Sequence, residues 1–265
     1  MRFTVVHRTR YAYSGPVRLG PHLLRLTPRP ERVGQVDHQL LIDPEPVDRW
    51  QEVDDNGNLV TRLIFEGQTR HLSIESRFAL DTPALPALVT DMPPLPWPGQ
   101  GAPVAPTVAA FSDALAAEAG GQAAGFLDRL NTTLYTRIDR RIRPTGAAHT
   151  PEHTLESGRG ACRDLAVLFI AAARAQGMQA RFVSGYQACS ETPDGRRYLH
   201  AWPEVHLPGL GWRGFDPTHG TRVEEGHVSL AAAPDQAGTM PVEGGFTAGP
   251  VTSTLDFDLR IETDT

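Results

Sequence analysis

Ser157-Gly-Arg-Gly-Ala-Cys-Arg-Asp-Leu-Ala-Val-Leu-Phe-Ile-Ala-Ala-Ala-Arg-Ala-Gln-Gly177 is the stretch from which the rest of the chain can be read. Leu165, Leu168, Phe169 and Ala172 recur at helical spacing, and Gly177 suits the left-handed residue that ends a helix. Gly158 and Gly160 give a permissive approach to a helix beginning at about Cys162. A thiol in that first turn sits beside unpaired backbone N–H groups and the positive end of the helix dipole. Both favour the thiolate. A lone cysteine at a helix start is more often a small hydrophobe, so the chemistry depends on what else the fold brings there.

The chain has 265 residues and a net charge of −6. That length suits one large or two small domains. Arg137, Arg140, Arg141 and Arg143 form a local basic cluster, interrupted by Asp139, which reads as a solvated face. No basic stripe points to nucleic acid, and no apolar run of about 18 residues points to a membrane span. Without a signal-peptide pattern at the start, the expected location is cytoplasmic. Cys162 and Cys189 are too few for a disulfide framework or a cysteine zinc site. His149 and His153 have a spacing that could pair two ligands, but Pro151 lies between them and no third ligand is near, so no metal or cofactor is expected.

Phe3, Val5, His7, Thr9, Tyr11 and Tyr13 alternate with mostly polar residues until Ser14-Gly-Pro16 signals a turn. Period-two segments follow at 36–42, at 59–65 after the Asp55-Asn-Gly-Asn58 hairpin signal, and at 72–80. Residues 1–82 therefore read as an antiparallel β-sandwich. A proline-rich linker spans 83–107. Helical spacing begins at Val108, stops at Gly120-Gly121 and resumes at Phe126, and a short helix starts at Thr150-Pro151. Residues 108–230 make an α+β core, and 231–250 read as an irregular connection. The alternation at 254–261 is expected to return a strand to the N-terminal β unit.

His200-Ala-Trp-Pro-Glu-Val-His-Leu207 and Trp212-Arg-Gly-Phe-Asp216 flank Pro208-Gly-Leu-Gly211, a hairpin signal. Pairing 207 with 212 places Asp216 opposite Pro203, about three residues from His200. A bulge at Pro203 or Gly214 would close that gap. Thiol, imidazole and carboxylate are the parts of a nucleophilic system.

Gly158-Arg-Gly-Ala-Cys162-Arg-Asp, Val183-Ser-Gly-Tyr186, His200-Ala-Trp202 and Gly211-Trp-Arg-Gly-Phe-Asp216-Pro-Thr resemble the transglutaminase-like superfamily, specifically bacterial members with a β-rich N-terminal region. The resemblance covers essentially the whole chain. It implies a papain-like α+β core and a catalytic triad of Cys162, which forms a thioester, His200, which shuttles protons, and Asp216, which orients the histidine. It also implies a peptide or protein substrate, attacked at peptide or glutamine carboxamide groups, with hydrolysis favoured over crosslinking. The competing expectation is a non-catalytic scaffold of the same fold, against which the intact Cys162, His200 and Asp216 argue. Two departures bear on the shape of the acyl-binding cleft: Arg163 stands where glutamine is frequent, and Pro203 where other residues are usual.

Overall fold

The first strand carries most of the N-terminal architecture. The computed structural model describes residues 1–30, 33, 36–84, 92, 94–96, 103–189 and 195–264. In it β1 (Arg2–Leu24) runs unbroken through the expected turn at Ser14-Gly-Pro16. Its pairing with β5 shifts register between Ala12 and Val17. Pro16, which has no N–H to give, lies in that irregularity, where a ladder tolerates it. Strands β2 (Asp37–Asp43), β3 (Asp48–Val53), β4 (Leu59–Ile64) and β5 (Thr69–Asp81) complete the antiparallel order β2-β5-β1-β4-β3. β1 joins both halves of this curled sheet, meeting β5 along its first part and β4 along its last. Phe3, Val5, Leu72, Ile74, Phe78 and Leu80 alternate along their strands and are all buried in its core.

Helices α1 (Pro106–Glu118) and α2 (Ala123–Arg137) follow, then β6 (Asp139–Arg140), α3 (Pro151–Ser157), β7 (Arg159–Gly160) and α4 (Cys162–Ala175). Most of the proline-rich 83–107 stretch lies outside the described residues. The remaining strands are β8 (Ala180–Gln187), β9 (His200–Leu207), β10 (Gly211–Asp216), β11 (Thr221–Arg222), β12 (His227–Ala233), β13 (Val242–Thr247) and β14 (Ser253–Asp264). The core sheet has the order β11-β10-β9-β8-β12. Phe126, Leu130, Leu165, Phe169, Phe182 and Phe215 are fully or almost fully buried between this sheet and the helices. Among the described residues, no helix is long and apolar enough to cross a membrane.

Residues 231–250 are more regular than their Ala, Gly and Pro content suggests. β12 continues to Ala233, and β13 pairs with the far end of β1. The glycine content serves this pairing: a Cβ on Gly244 would stand 2.3 Å from the His22 ring, so glycine is what lets β13 lie against β1. β14 pairs with β1 from Arg2↔Asp264 to Tyr13↔Ser253.

The N-terminal sheet and the core share an apolar cluster in which Tyr186, Val228 and Leu230 pack with Phe3, Val5 and Ile74, and two of the buried side-chain hydrogen bonds between them have testable consequences. The tip of the β3–β4 hairpin inserts fully buried Asn58, whose amide donates to Ala232 O at 2.9 Å and whose Oδ1 accepts from Ala232 N at 2.8 Å. This side chain closes the edge of β12 as another strand would. Asn58→Ala is expected to lower stability by about 2 kcal/mol, because it strands two buried backbone groups; urea unfolding measures it.

The second contact is His7 of β1, whose Nδ1 lies 2.8 Å from the Tyr186 hydroxyl of β8. Burial pushes His7 down to about 4, against a weaker opposing pull from Asp258. Between that value and the unfolded 6.5 the unfolded chain binds more protons, so stability falls as pH falls through this window. His7 alone accounts for a loss of about 3 kcal/mol. Burial shifts His22, His38 and His227 the same way. Urea midpoints at pH 7 and pH 4 should diverge, and His7→Gln should shrink the difference.

Candidate active site

Cys162 opens α4, as its sequence surroundings predict. Gly158 adopts φ +62° at the end of α3, and Gly160 packs so tightly that a Cβ would lie 3.0 Å from Asp164 Cβ and Leu165 Cδ1. Asp164, fully buried in the first turn, accepts from the Ala161 N–H at 2.7 Å and the His149 N–H at 2.8 Å. It also accepts from the Arg143 guanidinium at 2.6 Å. One carboxylate thus caps the helix and ties the 143–149 segment against the cysteine. Burial works to raise the Asp164 pKa, but these donors and the Arg143 charge outweigh it and hold the group ionised below its usual range. At the far end Gly177 takes φ +78°, and Met178 N donates to Ala173 O at 3.1 Å, closing the helix.

The hairpin register differs from the simplest expectation. β9 and β10 pair as Trp212↔His206 through Gly214↔Glu204, without a recorded bulge. Asp216 reaches His200 because β10 then leaves β9 and pairs with β11, with Asp216 opposite Thr221. Gly214 permits the change of partner: a Cβ there would lie 2.6 Å from Val223 Cβ. Pro203 sits one residue beyond the last β9–β10 pair, where the ladder needs no donor toward β10.

His200 Nε2 lies 2.9 Å from Asp216 Oδ2, and both side chains are completely buried. The same oxygen meets His219 Nδ1 at 2.9 Å and His227 Nε2 at 3.0 Å, while Oδ1 accepts from Thr218 N at 3.0 Å. Burial alone would raise the Asp216 pKa. The His200 charge and the three histidine hydrogen bonds reverse that and hold it well below the ordinary carboxylate value. An ionised carboxylate only accepts, so each ring nitrogen facing it carries a proton. Stability from this depressed pKa is present above the unfolded value near 3.9 and is lost as pH falls through the folded one.

His219 and His227 were not singled out from sequence. His219 lies in the turn just after Asp216, a proximity that could have flagged it. His227 carried no such signal, because only the pairing of β12 with β8 brings it there. Burial lowers the His227 pKa despite Asp216, and the neighbouring histidine charges add to the lowering, which favours a neutral ring. Its Nδ1, Trp202 Nε1 and Ser229 Oγ are buried without partners, and these three residues line a cavity of about 20 Å³. That volume suits one water, with a donor, an acceptor and a hydroxyl around it. Donor atoms of His200, Asp216 and His219 lie within 4.8 Å of one another, close enough for a metal ion, but they already satisfy one another as donors and acceptor. His149 and His153 stack edge to face at 4.7 Å, away from this cluster's hydrogen bonds.

Cys162 and His200 line a single cavity of about 340 Å³. Its walls come from both parts of the chain: His7 and Tyr11 from β1, Leu255 and Phe257 from β14, and Ile142 from the loop after β6. The N-terminal sheet therefore forms part of the cleft. Behind His200, Trp202 tilts against its ring at 6.0 Å and meets His227 edge to face at 5.3 Å. Gly185 makes room for that indole, since a Cβ would stand 2.5 Å from Trp202 Cη2 and 2.1 Å from Val228 O. Gly185→Ala should cost about 3 kcal/mol or more in denaturant unfolding, because backbone and indole must both move.

The chain belongs to the transglutaminase-like superfamily. Residues 110–217 match the family described as the transglutaminase-like superfamily, and residues 3–81 match the bacterial transglutaminase-like N-terminal region. Along 98% of its length the chain is 30% identical to the uncharacterized protein Rv2569c of Mycobacterium tuberculosis, covering 92% of that protein. Over 91 residues it is 34% identical to a protein-glutamine gamma-glutamyltransferase of Pseudomonas aeruginosa, an alignment spanning 31% of this chain and 14% of that one. Its fold matches the crystal structure of "a Putative Cysteine Protease from Cytophaga hutchinsonii" at TM-score 0.69 and 20% identity, covering 100% of this chain and 92% of that one.

Proposed function

We propose that this protein is a thiol-dependent hydrolase or acyl transferase acting on peptide or glutamine carboxamide groups, with Cys162, His200 and Asp216 as its catalytic triad. The observation that carries the proposal is that Cys162 shares a cavity with a buried histidine already bonded to a buried carboxylate. With Nε2 committed to Asp216, Nδ1 is the nitrogen left to serve the thiol. Cys162 Sγ adds to the substrate carbonyl carbon as its proton passes to His200, and Asp216 stabilises the resulting imidazolium. The tetrahedral oxyanion forms at the start of α4, where the Cys162 backbone N–H and the helix dipole favour negative charge. His200 returns the proton to the departing amine, the C–N bond breaks, and a thioester remains on Cys162. Water or a primary amine then attacks that thioester, regenerating the thiol and releasing an acid or a new amide.

Hydrolysis is favoured over crosslinking, on the likeness of bacterial relatives to peptidases. Incubation of a glutamine-containing peptide with and without a primary amine separates the two. Release of ammonia or a cleaved peptide without amine is the expected result; amide product alone would favour the transferase, and no turnover in either arm would favour a scaffold.

A further inference from the structure

The cleft has an arginine without an ion-pair partner beside the nucleophile. Three arginines line it, Arg141, Arg143 and Arg163, and among the described residues no aspartate or glutamate does, although the whole chain is net negative. Arg141 is paired with Asp139, and Arg143 with Asp164. Arg163, adjacent to Cys162 in the first turn of α4, gives one hydrogen bond to the Thr145 carbonyl at 2.6 Å and pairs with no carboxylate, and its Nε has no partner. Burial is the main influence lowering the Arg163 pKa, and the like charge of Arg143 adds to it. The nearby Cys162 and Asp164 oppose them, which places the guanidinium within electrostatic reach of the thiol. The guanidinium stays charged at any working pH.

A partly desolvated guanidinium without a direct ion-pair partner, beside an Asp164 already committed to Arg143, is an electrostatic cost to the free protein that an anionic ligand would relieve. Apolar surface lines the same cavity: Leu255 is 53% exposed and Ile142 47% exposed. We propose that Arg163 selects an acyl donor carrying a carboxylate within one residue of the reacting carbonyl, either an acidic side chain or a free C-terminus. This rests on the acyl-transfer role proposed above and deepens it. Arg163 touches the substrate, and its guanidinium offers the planar donor set that a carboxylate matches.

The test uses full-length protein carrying Cys162→Ala, so that binding is read without turnover. Calorimetry compares two matched pairs of probes: acetyl-Phe-Gln-Glu-Leu-amide against acetyl-Phe-Gln-Gln-Leu-amide, and acetyl-Phe-Gln-Gly against its C-terminal amide. The first pair reports an acidic side chain and the second a terminal carboxylate. In at least one pair the acidic member should bind about tenfold more tightly at low salt, and the gap should narrow in about 0.5 M NaCl. Adding Arg163→Gln should erase the gap, whereas Arg163→Lys should keep part of it. Equal affinities within both pairs, or a gap that survives Arg163→Gln, would overturn the assignment. Thioester formation on wild-type Cys162 with the same peptides reports the catalytic proposal separately, so a failure of either is recognised as its own.

Discussion

Cys162→Ala is expected to abolish turnover, by on the order of 10⁶ in kcat, the scale seen when the nucleophile of a comparable triad is removed. The fold should survive unchanged. The side chain is half-buried at the first position of α4, alanine is the best helix former, and the caps that hold the helix belong to Asp164 and Gly177. Cys189→Ala provides the control, because that thiol is exposed. Steady-state hydrolysis of a glutamine peptide, with thermal unfolding alongside, checks both halves. Activity retained in Cys162→Ala would remove the cysteine from the chemistry.

Asp216→Asn is the second large effect, expected at about 10⁴ in kcat by analogy with the same change in a serine-protease triad. Asp216 Oδ2 faces three ring nitrogens, each within 3.0 Å. An amide that keeps its oxygen toward those ring N–H groups turns its NH₂ on the Thr218 N–H that Oδ1 accepts from, and it offers no charge to balance an imidazolium. Unlike the nucleophile change, this one should also reduce stability by a few kcal/mol, because it disrupts a fully buried network. A kcat near wild type would exclude Asp216 from the mechanism. Loss of kcat with an unchanged unfolding midpoint would instead show that His219 and His227 tolerate the amide.

Much of the local structure around the candidate site was legible because local rules and the resemblance agreed. Leu165, Leu168 and Phe169 announced a helix, Gly158 and Gly177 bounded it, and the segments around Cys162, His200 and Asp216 each carried motif residues. The strand alternation of 72–80 matched burial almost residue for residue. What escaped depends on contacts between distant segments. Gly244 looked like loop composition until His22 was seen to fill the space above it. Pro16 looked like a stop because the sequence does not show that β1 changes partners there. The route of Asp216 to His200 escaped because β10 changes partner to β11, a two-residue strand with no periodicity to detect, and the β9–β10 register slipped by one because the turn takes only residues 208–210. His227 belongs to the same class, since the pairing of β12 with β8 spans some forty residues of chain.

The central claim is that Cys162 carries the acyl group and that His200 enables it. A peptide ester with a good leaving group is mixed with the protein, quenched in acid and digested, and the modified cysteine is located by mass spectrometry. The acyl mass should appear on Cys162 in the wild type, should be absent from Cys189, and should form far more slowly after His200→Ala. Acylation shared equally by the two cysteines, or an unchanged rate on Cys162 without His200, would contradict the account.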